Sequence, residues 1–161
     1  MLSFLSIQIY TQAQTTEIKT DSIYSIIYFG ATSCYYCNVP KNIENINKMT
    51  VGIKKGNPAA QLKLVIVSMD KDLNEGQKFL DKYEMSNWNE ISIGSFYQNE
   101  LALAYLNNTA IPGVPHLFVI KHMTEIGKFN VPIVKSSKIL VDLVGGDQLD
   151  KWLDNSCRFE K

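Results

Sequence analysis

Two cysteines separated by two residues carry the most chemistry in this 161-residue chain: Cys34-Tyr35-Tyr36-Cys37. They follow residues 22–29 (SIYSIIYF), a short β-branched and aromatic run that reads as a buried strand. Behind them come apolar residues at spacings of three and four, which read as a helix. A cysteine at a helix start meets free backbone N–H groups and the positive end of the helix dipole. Both lower the thiol pKa, and the thiolate is the form that attacks a disulfide. A second cysteine three residues on lies one turn away on the same face, near enough to attack a mixed disulfide and release the substrate. Cys34 is therefore expected to be the attacking thiol and Cys37 the resolving one, with Tyr35 and Tyr36 shaping what approaches them.

Other uses of such a pair compete with this one. A closed zinc site needs four ligands, and the remaining candidates, His116, His122 and Cys157, are scattered. A covalent haem site needs His after the second cysteine, where the chain has Asn38. An inert structural disulfide is a third use. Peroxide reduction needs an arginine-type partner for a low-pKa thiol, and the only arginine, Arg158, lies at the far end of the chain. Redox exchange fits the strand-to-helix setting best, and it calls for no metal or organic cofactor, because the two sulfurs carry the electrons. His116 has two readings: beside the thiols, supporting the Cys34 thiolate, or turned away and hydrogen-bonded at a strand end. His122 falls where a turn is expected, on the solvated surface. Trp88 and Trp152 read as packing residues, and Cys157 as a bystander thiol.

The elements that must hold the cysteines follow from periodicity. Val39, Ile43, Ile46, Met49 and Ile53 predict a helix over 35–55, stopped by Gly56-Asn57-Pro58. Residues 62–68 (LKLVIVS) predict a second buried strand. Asp72 is placed to cap a helix running to about residue 83. Residues 87–94 read as loop or short strand and 100–106 as helix. Residues 111–115 (IPGVP) form a turn before a third buried strand at 117–120, with 126–131 as its hairpin partner. Gly145-Gly146 precedes a last helix over 147–155. Strands alternating with helices predict an α/β sheet covered by helices.

Composition narrows the class. Hydrophobic residues are 45% and charged residues 20%, which suits a packed domain rather than a disordered chain. Sixteen Lys and Arg balance sixteen Asp and Glu, which argues against a nucleic-acid partner. No apolar run reaches the ~18–20 residues that span a bilayer. Residues 15–161 are expected to form one domain. Residues 1–14 (MLSFLSIQIYTQAQ) combine an apolar stretch with small residues at Thr11-Gln12-Ala13, as a signal-peptide remnant would. The first lysine is Lys19, so a basic leader is missing, and alternation at Leu5, Ile7 and Ile9 also fits an N-terminal strand. A signal remnant would place the protein outside the cytoplasm, periplasmic or secreted.

Residues 26–37 (IIYFGATSCYYC) resemble the active-site segment of thioredoxin-like proteins. Residues 65–70 (VIVSMD) are similar to the strand-and-Asp segment of the TlpA/ResA-like branch, and residues 79–83 with Trp88 to its next helix and tryptophan. Gly113-Val114-Pro115 before LFVI resembles the approach to the family's cis-proline, and residues 144–153 the start of its final helix. The resemblance covers about residues 22–155. It implies a thioredoxin-like fold, a central mixed sheet with helices on both faces, and thiol–disulfide oxidoreductase activity on partner proteins. The alternative is a thioredoxin-like binding or scaffold module with little turnover. Three departures stand out: Ser33 where relatives carry Trp, Tyr28 where classical thioredoxins carry a buried Asp, and His116 where relatives carry Thr. Ser33 and His116 are thus candidate modulators of the pair. The resemblance also implies that Pro115 faces the cysteines, with a cis bond from Val114, whose backbone could pair with an extended substrate.

Overall fold

A computed structural model describes residues 21–58 and 60–159, so the leader-or-strand expectation for residues 1–14 lies outside the described residues. The β-branched run after residue 21 forms β1 (Asp21–Gly30). It is followed by α1 (Pro40–Gly56), β2 (Gln61–Ser68), α2 (Leu73–Leu80), β3 (Glu90–Ile93), α3 (Glu100–Tyr105), β4 (His116–Ile126), β5 (Pro132–Val144) and α4 (Gly146–Asp154). The strands make one mixed sheet of order β3-β2-β1-β4-β5. β2 runs parallel to β1 and to β3, whereas β4 is antiparallel to β1 and to β5.

Central β1 looks continuously hydrophobic because both of its faces are covered. Tyr24, Ile26 and Tyr28 face one side, where Ile46, Met49 and Ile53 of α1, Phe79 and Leu80 of α2, and Leu149 and Trp152 of α4 pack on them. Ile27 and Phe29 face the other side, with Phe118 and Ile120 of β4 and with Ala102 of α3. The architecture is therefore the expected α/β sheet with helices on both faces. The short helices are capped as their sequences suggest. The Asp72 carboxylate accepts from the backbone N–H of Asn74 and Glu75, and the Asn99 side chain accepts from those of Leu101 and Ala102.

Three local expectations need correction. The helix expected from residue 35 begins only at Pro40. A proline ring disfavours helical backbone in the residue before it, and Val39 is extended (φ −67°, ψ 128°). Tyr36–Asn38 form a separate 3-10 turn. The hairpin partner expected at 126–131 is instead the end of β4 and a turn, in which Phe129 takes a left-handed φ of 65°; the partner strand is β5. Its register slips opposite Val119/Ile120 and Met123/Thr124, leaving Leu140 and Lys135 unmatched, so no clean two-residue period marks it in the sequence. His122 lies inside β4 rather than in a turn. Its Nε2 is 2.9 Å from Ser25 Oγ on β1 and its Nδ1 is 2.8 Å from Ser137 Oγ on β5. Trp88 and Trp152 are buried, in keeping with packing roles. Cys157 is buried too, and burial pushes its thiol up to about 11.

Candidate active site

β1 ends at Gly30, and the chain leaves the sheet through Ala31-Thr32-Ser33 to Cys34. Cys34 and Cys37 are joined as a disulfide with Cα atoms 5.3 Å apart. The two sulfurs are unequal. Cys37 is fully buried, whereas Cys34 is half-buried and can be reached from outside. The backbone N–H of Cys37 points at Cys34 Sγ over 3.2 Å, the kind of donor that stabilises a thiolate. The Val114 carbonyl oxygen lies 3.3 Å from the same sulfur. The Val114–Pro115 peptide is cis.

Residues 23–126 match the model of a protein family described as thioredoxin-like. The chain belongs to the thioredoxin-like family. No curated protein matches it. Among solved structures it is similar to the thioredoxin domain of a thiol-disulfide oxidoreductase from Bacteroides vulgatus, at 19% identity and TM-score 0.49, over 83% of this chain and 78% of that one. It is also similar to a thiol:disulfide interchange protein from Bacteroides sp., at 18% identity and TM-score 0.49, over 83% and 72% of the two chains. A third likeness is to a thiol-disulfide oxidoreductase from Bacteroides fragilis, at 17% identity and TM-score 0.49, over 83% and 80%.

In this thioredoxin-like frame the loop before Cys34 is held by Asp70, just beyond β2. The Asp70 carboxylate accepts from the Thr32 backbone N–H at 2.9 and 3.1 Å, from the Thr32 hydroxyl at 3.2 Å and from the Ser68 hydroxyl at 2.7 Å. Asn38 holds the loop from the other side, through its amide and the carbonyls of Ala31, Thr32 and Cys34. Neither residue stands out as a site residue in the sequence. Asp70 is visible as an acidic residue closing a buried strand, and Asn38 only as the neighbour of Cys37.

Beneath Cys37 lies a polar cluster rather than a buried carboxylate. The Tyr83 hydroxyl donates to the Cys37 carbonyl oxygen at 3.0 Å and lies 3.3 Å from the Tyr28 hydroxyl, which accepts from Asn42 Nδ2 at 3.1 Å. Burial pushes the Tyr28 phenol up to about 12, outweighing its hydrogen bonds to Tyr83 and Asn42. Burial likewise pushes the Tyr83 phenol upward. A phenol raised in the folded state contributes stability that is present below the unfolded value of about 10 and is lost as pH rises through the folded one. Stability should therefore fall between about pH 10 and about pH 12. Tyr28→Phe should flatten that fall by about 1–3 kcal/mol, read from denaturant midpoints across alkaline pH. An unchanged alkaline slope in Tyr28→Phe would contradict it.

The other expected site residues divide. Tyr35 and Tyr36 are exposed, 77% and 62%, and stand edge to face beside the sulfurs. Ser33 is exposed on the loop. Pro115 is buried, and its carbonyl accepts from the Gly145 N–H at 2.9 Å, tying the turn to the start of α4. His116 is buried and directed toward β5. Its Nε2 is 2.6 Å from Asp142 Oδ1, its Nδ1 is 3.3 Å from the Gly113 carbonyl, and its ring stacks on Phe118. That is the strand-end reading of His116, and it puts the ring with the α3 face of the sheet, opposite the face on which Cys37 packs.

Proposed function

We propose that this chain is a thiol–disulfide oxidoreductase of the TlpA/ResA-like kind, exchanging disulfides with partner proteins through Cys34 and Cys37. The observation that carries the reading is the asymmetry of the pair: a half-buried Cys34 whose Sγ faces a backbone donor, over a fully buried Cys37. In the reducing direction, the Cys34 thiolate attacks one sulfur of a partner disulfide. A mixed disulfide forms and one partner thiolate leaves. Cys37, as thiolate, then attacks Cys34 Sγ, closing the Cys34–Cys37 disulfide and releasing the second partner thiolate. The dithiol is oxidised by two electrons and the partner disulfide is reduced by two; protons from the two cysteines end on the partner thiols. The same steps reversed oxidise a partner dithiol, and the reduction potential of the pair sets which way it runs.

Tyr35 and Tyr36 offer an exposed aromatic rim for the partner, and the backbone around Val114 and Pro115 offers an extended edge beside Cys34. The exchange uses no cofactor or metal. The apolar residues 1–14, read as a signal remnant, favour a site of action outside the cytoplasm. Among the described residues, no helix is long and apolar enough to cross a membrane.

An insulin-reduction assay tests the activity. Turnover should be visible with dithiothreitol as the electron source. Absence of turnover, with the Cys34–Cys37 pair shown to cycle between its two states, would favour a binding or scaffold module instead.

A further inference from the structure

The late start of α1, after an extended Val39, bears on what stabilises Cys34. Because α1 begins at Pro40, Cys34 and Cys37 both precede the long helix. The Cys37 N–H of the 3-10 turn faces Cys34 Sγ, 3.2 Å away. Tyr83 holds the turn from beneath, and one side chain of the turn itself ties it back to the loop before Cys34. Asn38 Nδ2 lies 3.2 Å from the carbonyl oxygen of Ala31, 2.9 Å from that of Thr32 and 2.5 Å from that of Cys34. It thus gathers the negative ends of three peptide dipoles around its own amide nitrogen, where they are met by a donor instead of facing the sulfur. The amide oxygen meets a cation: Lys82 Nζ, beyond α2, donates to Asn38 Oδ1. The two residues also line one side of an open cleft with Thr32, Ser33 and Tyr35.

We infer that Asn38 and Lys82 form a positioning pair that sets how readily Cys34 becomes a thiolate, Asn38 by holding the turn and its dipoles, Lys82 by fixing the amide and adding positive charge. This rests on the thiol–disulfide reading of the cysteine pair. Four other titratable groups on neighbouring elements have partners of their own. Asp70 is taken up by Thr32 and Ser68, Glu75 pairs with Lys78, and Lys41 of α1 pairs with Asp150 of α4. On the Pro115 side, His116 is turned to Asp142. Among the described residues, Lys82 is a cation coupled to the Cys34 loop through Asn38.

The test is the pH dependence of iodoacetamide alkylation of Cys34 in the reduced full chain, read by mass spectrometry of the Cys34 peptide. Lys82→Met should move the midpoint upward and slow alkylation at mildly acidic pH about twofold to threefold at low salt, since a nearby exposed charge acts through a high dielectric. That difference should shrink at high salt, and Lys82→Arg should restore the parent midpoint. Asn38→Asp puts an acceptor where three carbonyls need a donor, and should move the midpoint further, about tenfold in rate. A merely structural role would lower the melting temperature and leave the midpoints alone. Unmoved midpoints in folded Lys82→Met and Asn38→Asp would overturn the inference. Should Asn38→Asp fail to fold, the exposed Lys82 carries the test by itself. Alkylation needs no partner disulfide, so the two readings fail separately. Shifted midpoints without insulin turnover would sink only the oxidoreductase reading; turnover with unmoved midpoints would sink only the positioning pair.

Discussion

Cys34→Ser is expected to abolish disulfide exchange, whereas Cys37→Ser is expected to leave a covalent complex with the partner. The difference follows from the exposure of the two sulfurs. Cys37 is fully buried beneath the turn and Cys34 only half-buried, so a partner is expected to meet Cys34 Sγ first. A serine at 34 leaves no nucleophile at the surface, since an alcohol is not ionised where a thiol is. A serine at 37 leaves the first attack intact and removes the group that resolves it. Insulin reduction should therefore fall to background in both variants. Non-reducing electrophoresis should show a mixed disulfide for Cys37→Ser alone. A trapped complex from Cys34→Ser instead would exchange the roles of the two cysteines.

Phe79→Ala should cost about 3–5 kcal/mol of folding stability, the usual range for emptying a buried aromatic site. Phe79 is fully buried on α2, its ring 5.2 Å from that of Tyr83 and set against Gly30. Gly30 is where β1 gives way to the cysteine loop, and a Cβ there would meet the Phe79 ring. The two positions are therefore coupled. Gly30→Ala alone should cost about 1–3 kcal/mol through overpacking, and clearly less in the Phe79→Ala background, where the added methyl enters the vacated space. Denaturant midpoints of the four proteins measure both effects. Additive losses would mean that the ring does not rest on Gly30.

Much of the scaffold was legible from residue order alone. Runs such as SIIYF and LVIVS declare buried strands because both of their faces must be apolar between helices. Asp72 marks the start of α2 because an N-cap acts on donors two and three residues away. The cysteine pair was legible for the same reason, its chemistry depending on two residues three apart. Even the late start of α1 has a local cause in Pro40, which the spacing of Val39 and Ile43 concealed. β5 was harder, because its two register slips erase the alternation by which strands are recognised.

What only the tertiary structure decided is how the pair is surrounded. Asp70 holds Thr32 across 38 positions, and Lys82 reaches Asn38 across 44. Tyr83 reaches Cys37 across 46 positions, and Val114 stands beside Cys34 across 80. His116 could have faced the thiols or left them; the pleat of β4 and the Asp142 carboxylate on the neighbouring strand turned it away. The residues of the pair are set by short-range order along the chain, where helix and turn geometry fix neighbours within a few positions. Their setting depends on contacts between segments that meet only when the sheet assembles, and no local pattern records those contacts.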